Sequence, residues 1–179
     1  MELENSKPKL IILSDLWGKE KSFWLENYTK LLAENFNITF YDCCELGEIN
    51  KTDYSEKNLH QQFLHGGIEK AVEKLVVLEK SEVYILAFSI GGFIAWKAAL
   101  SGLKTKGIFA ISSTRLRYEK EKPSGILELF FAEKDEFKPN DDWFETLNIE
   151  QRIFKNENHE CYQKPEIAKE ITDILLTYL

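Results

Sequence analysis

The stretch Val83-Tyr84-Ile85-Leu86-Ala87-Phe88-Ser89-Ile90-Gly91-Gly92, running into Phe93-Ile94-Ala95-Trp96-Lys97-Ala98-Ala99, constrains the chain more than any other. Val83 to Ala87 is apolar, partly β-branched or aromatic, and without a helical period, so it reads as a buried strand. The residues after the serine are rich in alanine and long apolar side chains, with Lys97 the only charge. They read as a buried helix that ends near Gly102. Between strand and helix lies a small-x-Ser-x-Gly turn, with Ala87 in its first position and Gly91 in its last. Such a turn lifts one serine above a sheet, and it needs small residues because the two backbones nearly touch. The pattern alone is common: about one chain in five of this length carries one by chance. A plain turn with Ser89 as helix N-cap is the alternative reading.

The remaining segments alternate. Lys9 to Ser14 is a strand, apolar on both faces, followed by a turn at Asp15-Leu16-Trp17-Gly18. Ser22 to Asn35 reads as an amphipathic helix, with Phe23, Trp24, Tyr28, Leu31 and Leu32 at helical spacing. Asn37 to Tyr41 is a second strand, Glu45 to Ser55 is polar and irregular, and one long helix is expected from Glu56 to Glu79. Lys106 to Ile111 and Gly125 to Ala132 are strands separated by the polar segment Ser112 to Ser124. A short helix at Asp141 to Leu147, a strand at Ile149 to Phe154 and a closing helix at Pro165 to Tyr178 follow. The alternation predicts an α/β fold, a doubly wound, mostly parallel six-stranded sheet with helices on both faces, formed as one domain over residues 1–179. Ligands bind such sheets beyond the carboxyl ends of the strands.

Charge narrows the partners. A net charge of −7 argues against nucleic acid and against an anionic membrane surface. No apolar run reaches spanning length, and the start, Met-Glu-Leu-Glu-Asn-Ser-Lys, has no signal-peptide apolar region, so a cytoplasmic location is expected. Cys43, Cys44 and Cys161 have neither a disulfide framework nor a zinc spacing, and no metal is expected. The sequence leaves monomer and homodimer both open.

Serine is a poor nucleophile unless a base lies within hydrogen-bond reach and an acid orients that base. His159 directly follows the last strand and so shares a sheet edge with Ser89, whereas His60 and His65 fall within the long helix. Asp135 follows the penultimate strand and is the better acid; Asp42 is less well placed, and Glu133 and Glu136 read as a solvated turn. A tetrahedral intermediate also needs two N–H donors. One is the backbone N–H of Ile90, at a helix N-terminus, and the second is expected from Leu16 or Trp17 in the turn after the first strand. His65-Gly66-Gly67 has the look of a glycine-rich oxyanion motif but does not follow a strand. Trp96 reads as core, while Trp143 and Phe144 are candidates to wall a pocket. Arg115 and Arg117 are candidates to hold an acidic substrate group, a solvated loop being the alternative. Cys161, two residues from His159, is either an idle buried thiol or a redox-sensitive one. As a nucleophile it lacks a second histidine on that edge.

The pieces Leu-Ile-Ile-Leu-Ser-Asp-Leu-Trp-Gly (10–18), Phe40-Tyr41-Asp42, Ala-Phe-Ser-Ile-Gly-Gly (87–92), Leu-Phe-Phe-Ala-Glu-Lys-Asp (129–135) and Asn158-His159 followed by Pro165 resemble the α/β-hydrolase fold superfamily over nearly the whole chain. The order Ser89, Asp135, His159 is the nucleophile–acid–base order of that superfamily. Within it, the Trp-Gly turn and the spacing of Trp17 and Trp24 are similar to the pimeloyl-carrier-protein methyl esterase of biotin synthesis. The resemblance implies a serine hydrolase acting on a small-molecule acyl ester or thioester, with no cofactor.

Three departures stand beside it. The histidine-glycine usual after the first strand is replaced by Ser14-Asp15-Leu16, and an inward acid at 15 would weaken an oxyanion site. Two antiparallel strands that open the family fold have no counterpart before Lys9. The polar segment Ser112 to Ser124 is too short for the helical lid of many relatives, which implies a shallow site and argues against carrying over the methyl-esterase substrate. These departures keep open a non-catalytic binding or regulatory protein on the same fold.

Overall fold

The computed structural model describes residues 7–179. Six strands form one sheet: β1 (Lys9–Leu13), β2 (Asn37–Tyr41), β3 (Val83–Phe88), β4 (Thr105–Ile111), β5 (Ile126–Ala132) and β6 (Gln151–Phe154). Their order is β2-β1-β3-β4-β5-β6, and every pairing is parallel. The chain therefore winds outward from β1 to β2, returns to the middle at β3, and winds outward the other way. The reversal falls between β1 and β3, where a sheet of this kind opens a crevice at its carboxyl edge.

Strand residues alternate between two apolar layers. Ile11, Leu13, Ile85, Ala87, Ile108, Ala110, Leu129 and Phe131 face one side, against α4 (Ile68–Leu78) and α5 (Ile90–Leu100). Leu10, Ile12, Leu86, Phe88, Phe109 and Phe130 face the other, against α1 (Glu26–Leu32) and α7 (Pro165–Leu176), the helix that follows the short α6 (Asp141–Leu147) and β6. All six residues of β3 are buried, as a central strand covered on both faces requires.

The structure corrects three expectations. The segment Ser22 to Asn35 is not one helix: 3-10 turns at Lys19–Lys21 and Phe23–Leu25 precede a shorter α1. Ser22 spends its hydroxyl on Gly18 O (2.6 Å), and Phe23 points to solvent. Glu45 to Ser55 is not wholly irregular, because Asp42 caps a short α2 (Cys43–Leu46) by accepting from Cys44 N–H (2.7 Å). The long helix from Glu56 to Glu79 is broken into α3 (Glu56–Gln62) and α4 by a kink at Phe63–Gly67. There Gly66 takes a φ of 111°, a left-handed value open to glycine. His65-Gly66-Gly67 is thus a kink between helices rather than an oxyanion loop.

Between β4 and β5, residues 112–124 hold only a 3-10 turn, Thr114–Tyr118, so no helical lid is inserted there. No helix among the described residues is long and apolar enough to cross a membrane.

The packing of α5 onto β1 depends on one missing side chain. A Cβ at Gly91 would meet Ser14 O at 2.4 Å and Leu13 Cβ at 3.0 Å, and the first is backbone that cannot turn aside. Gly91→Ala is expected to lose about 1–3 kcal/mol by overpacking. A urea melt checks this: the midpoint falls while the slope holds.

Candidate active site

Ser89 sits where β3 becomes α5, with φ 49° and ψ −116°. That region is sparsely populated for a residue with a side chain and costs about 1–3 kcal/mol. The junction holds it from several directions: Ser89 N–H donates to Ile111 O (2.8 Å), and Ser89 O accepts from Gly92 N–H (3.1 Å). The hydroxyl is consequently turned out at the carboxyl edge. Its side chain makes no cap bond to the helix, which separates it from an ordinary N-cap.

The structure brings together three of the residues singled out by sequence. Ser89 Oγ lies 3.0 Å from His159 Nε2, and His159 Nδ1 lies 2.6 Å from Asp135 Oδ2. Asp135 is buried after β5, and its Oδ1 accepts from Phe137 N–H (3.1 Å), so both carboxylate oxygens are engaged. The His159 side chain is 38% exposed, which leaves the imidazole open to a ligand from the solvent side. His60 and His65 are exposed on the α3–α4 segment. Asp42 is occupied as the α2 cap and by Lys19 N–H (2.9 Å).

Two supports of His159 carry no signal in sequence. Ser112, directly after β4, donates its hydroxyl to His159 O (2.6 Å) from a backbone with φ 52°. Tyr162, in the same 3-10 turn as His159 (His159–Gln163), packs its ring edge-on to the imidazole with centroids 6.4 Å apart. A serine in a polar segment and a tyrosine before a helix are too ordinary to single out.

Asp15 explains the unusual turn after β1. It is almost fully buried, at 1% exposure. Its Oδ1 accepts from Trp17 N–H (2.9 Å) and its Oδ2 from Tyr162 O–H (3.0 Å). Burial pushes its carboxyl up to about 6 against these two hydrogen bonds. Trp17 N–H is therefore engaged and is removed from the expected oxyanion donors. Leu16 N–H has no hydrogen-bond partner among the described residues, and neither has Ile90 N–H at the head of α5. These two amides stand in the turn after β1 and at the head of α5, the two elements that border the β1/β3 crevice.

Other candidates have plainer places. Trp143 donates its indole N–H to Glu119 O (2.8 Å) and packs against Trp96 and Phe144. With Arg117, Tyr118, Asn140 and Leu147 it lines an open hollow of about 760 Å³. Arg115 and Arg117 lie on the 3-10 turn after β4. Cys161 is buried, and burial pushes its thiol up to about 11. No group of three or more His, Cys, Asp or Glu suited to a metal ion occurs among the described residues.

No family model matches the sequence, and no curated protein matches it. The fold is similar to solved structures. A protein of the alpha/beta superfamily of hydrolases from Xanthomonas campestris pv. campestris superposes with a TM-score of 0.71 at 15% identity, over 97% of this chain and 100% of its own. The monoacylglycerol lipase of Paleococcus ferrophilus gives 0.68 at 14% identity, over 97% of each chain. Alpha/beta hydrolase domain-containing protein 10 from mouse gives 0.68 at 12% identity, over 98% of this chain and 91% of its own. At such identities the likeness speaks for architecture, and the architecture is the α/β-hydrolase fold in a minimal, lidless form.

The buried carboxyl at 15 makes a stability prediction. Its folded value is raised to about 6 from an ordinary 3.8, so folding favours its protonated form. The stability this contributes is complete below 3.8 and is lost as pH rises through 6. Asp15→Asn cannot titrate. The variant should gain on the parent by up to about 3 kcal/mol between pH 4 and pH 8. Thermal melts of both proteins across that range are the check, and parallel curves would contradict it.

Proposed function

We propose that the protein is a serine hydrolase that cleaves a small ester or thioester through an acyl-enzyme on Ser89. The observation that carries this reading is the unbroken line from Ser89 Oγ to His159 Nε2 to Asp135, at 3.0 and 2.6 Å. His159 takes the Ser89 proton as Oγ attacks the acyl carbonyl carbon. Asp135 accepts a hydrogen bond from His159 Nδ1–H, which fixes the tautomer and favours the imidazolium that forms. The carbonyl oxygen becomes an oxyanion facing Ile90 N–H and Leu16 N–H. The imidazolium then protonates the departing alcohol or thiol, leaving an ester on Ser89. Water attacks that ester with His159 again as base, and the carboxylic acid leaves.

Several features support the same reading. Phe137 N–H on Asp135 and Ser112 on the His159 carbonyl hold acid and base in register without touching a substrate. One of the similar solved structures is a monoacylglycerol lipase, a name that specifies ester cleavage. With only a 3-10 turn between β4 and β5, nothing there encloses a long chain, so the acyl group is short. A non-catalytic protein on this fold would need no base in reach of Ser89, and a 3.0 Å contact counts against it. A thiol mechanism through Cys161 is opposed by burial, which holds the thiol at about 11.

A fluorophosphonate probe should label the protein at Ser89, and Ser89→Ala should abolish the label. With short p-nitrophenyl esters, Ser89→Ala and His159→Ala are each expected to lower kcat by at least about 10⁴-fold, and Asp135→Asn by about 10³–10⁴-fold. The Ser89→Ala/His159→Ala double variant should fall no further than either single one, because the residues act as a unit. Turnover retained by folded Ser89→Ala would overturn the reading.

A further inference from the structure

The chain holds twenty lysines and only three arginines, and two of the three, Arg115 and Arg117, stand in one turn at the catalytic edge. The third, Arg152, is paired with the Glu128 carboxylate through two hydrogen bonds (2.7 and 3.3 Å). Arg115 and Arg117 take part in no ion pair among the described residues, in a protein whose net charge is −7.

Their surroundings sharpen the point. The Arg115 guanidinium stands 5.4 Å from the Phe93 ring and 5.2 Å from the Tyr118 ring. Arg117 stands 4.3 Å from the same Tyr118 ring. Two cations thus share one aromatic side chain. Arg117 is fixed by donating to Thr114 O (2.9 Å), Phe137 O (3.3 Å) and the Tyr118 hydroxyl (2.9 Å). Arg115 makes no such bonds among the described residues, and its Nε is buried without a partner there. Aromatic contact satisfies charge in part but no N–H donor. A lysine or methionine at 115 would avoid an orphaned buried donor, so the fork at this position asks for a partner that the described residues do not supply.

The position says where that partner belongs. Phe93 is four residues beyond Ser89, one turn along α5 on the same face, so Arg115 lies over the first turn of the helix that bears the nucleophile. Arg117 and Tyr118 themselves line the hollow of about 760 Å³.

We propose that Arg115, with Arg117 beside it, forms a subsite for an anionic oxygen group, carboxylate or phosphate, carried by the substrate a few bonds from the scissile carbonyl. This rests on the hydrolase reading of Ser89 and narrows it to anionic esters or thioesters. An open, lidless site gains from such an anchor, because a planar fork positions a short substrate that apolar walls would not hold.

The test compares p-nitrophenyl esters of equal acyl length ending in a methyl group, a carboxylate or a phosphate, at low and high salt. The wild type should prefer one of the anionic series by at least about tenfold in kcat/KM, and salt should shrink the preference. Arg115→Met should reduce the anionic-to-neutral ratio about tenfold or more, and Arg115→Lys should restore only part of it. Which anionic series is preferred distinguishes carboxylate from phosphate. Equal kcat/KM across the three series, or an unchanged ratio in Arg115→Met, would overturn the subsite while labelling at Ser89 leaves the hydrolase reading standing. If Ser89 is not labelled and no ester turns over, the hydrolase reading has failed, and the subsite is judged by melts in inorganic phosphate and in glutarate. A rise in Tm for wild type but not for Arg115→Met then sustains anion binding, and no rise with either anion overturns it.

Discussion

The close approach of Gly91 to the Ser14 carbonyl, where a side chain would find no room, sets the geometry of the carboxyl edge of the sheet. It sets how close α5 can come to β1, and that closeness decides two things at once. It holds Ser89 in its strained conformation, because strand, helix and neighbouring turn over-determine the junction. It also lays the turn after β1 alongside the head of α5, so that Leu16 N–H and Ile90 N–H belong to one crevice. Parallel pairing of β1 with β3, in the register Leu13 with Ala87, brings both strand ends level. A bulkier residue at 91 would disturb Ser89 and the turn that carries Leu16 together.

Much of this was legible because the physics is local or periodic. Strands β1, β3, β4 and β5 are apolar on both faces, and only a sheet covered on both sides buries such runs. Placing Ser89, Asp135 and His159 after β3, β5 and β6 required nothing but the rule that the ends of parallel strands share an edge. The kink at Gly66 was hidden for an equally physical reason. Leu59 and Phe63 before it and Ile68, Val72 and Leu75 after it continue one apolar stripe, so periodicity cannot report that the backbone has turned. The early start expected for α1 failed because Phe23 matched a helical stripe by type while facing solvent. Tyr162 could not be tied to Asp15 across 147 residues of sequence, since a single long-range hydrogen bond leaves no pattern.

Asp15 shows how the departure from a histidine-glycine turn is accommodated. The acid does turn inward, as the unfavourable case required, yet its two oxygens are directed to Trp17 N–H and Tyr162 O–H. It thereby ties the turn that carries Leu16 to the turn that carries His159. Tyr162 is itself anchored, its carbonyl accepting from the buried Tyr28 hydroxyl (2.7 Å). The same residue that engages Trp17 N–H therefore braces both the Leu16 turn and the His159 turn.

That brace works against stability, since burial opposes the charge at 15 and raises its carboxyl to about 6. A neutral amide could keep a hydrogen bond to Trp17 without this cost, so the charge itself calls for an explanation. An amide, however, offers one accepting oxygen where the carboxylate offers two, so only the acid accepts from Trp17 N–H and Tyr162 O–H together and ties the turn after β1 to the turn that carries His159.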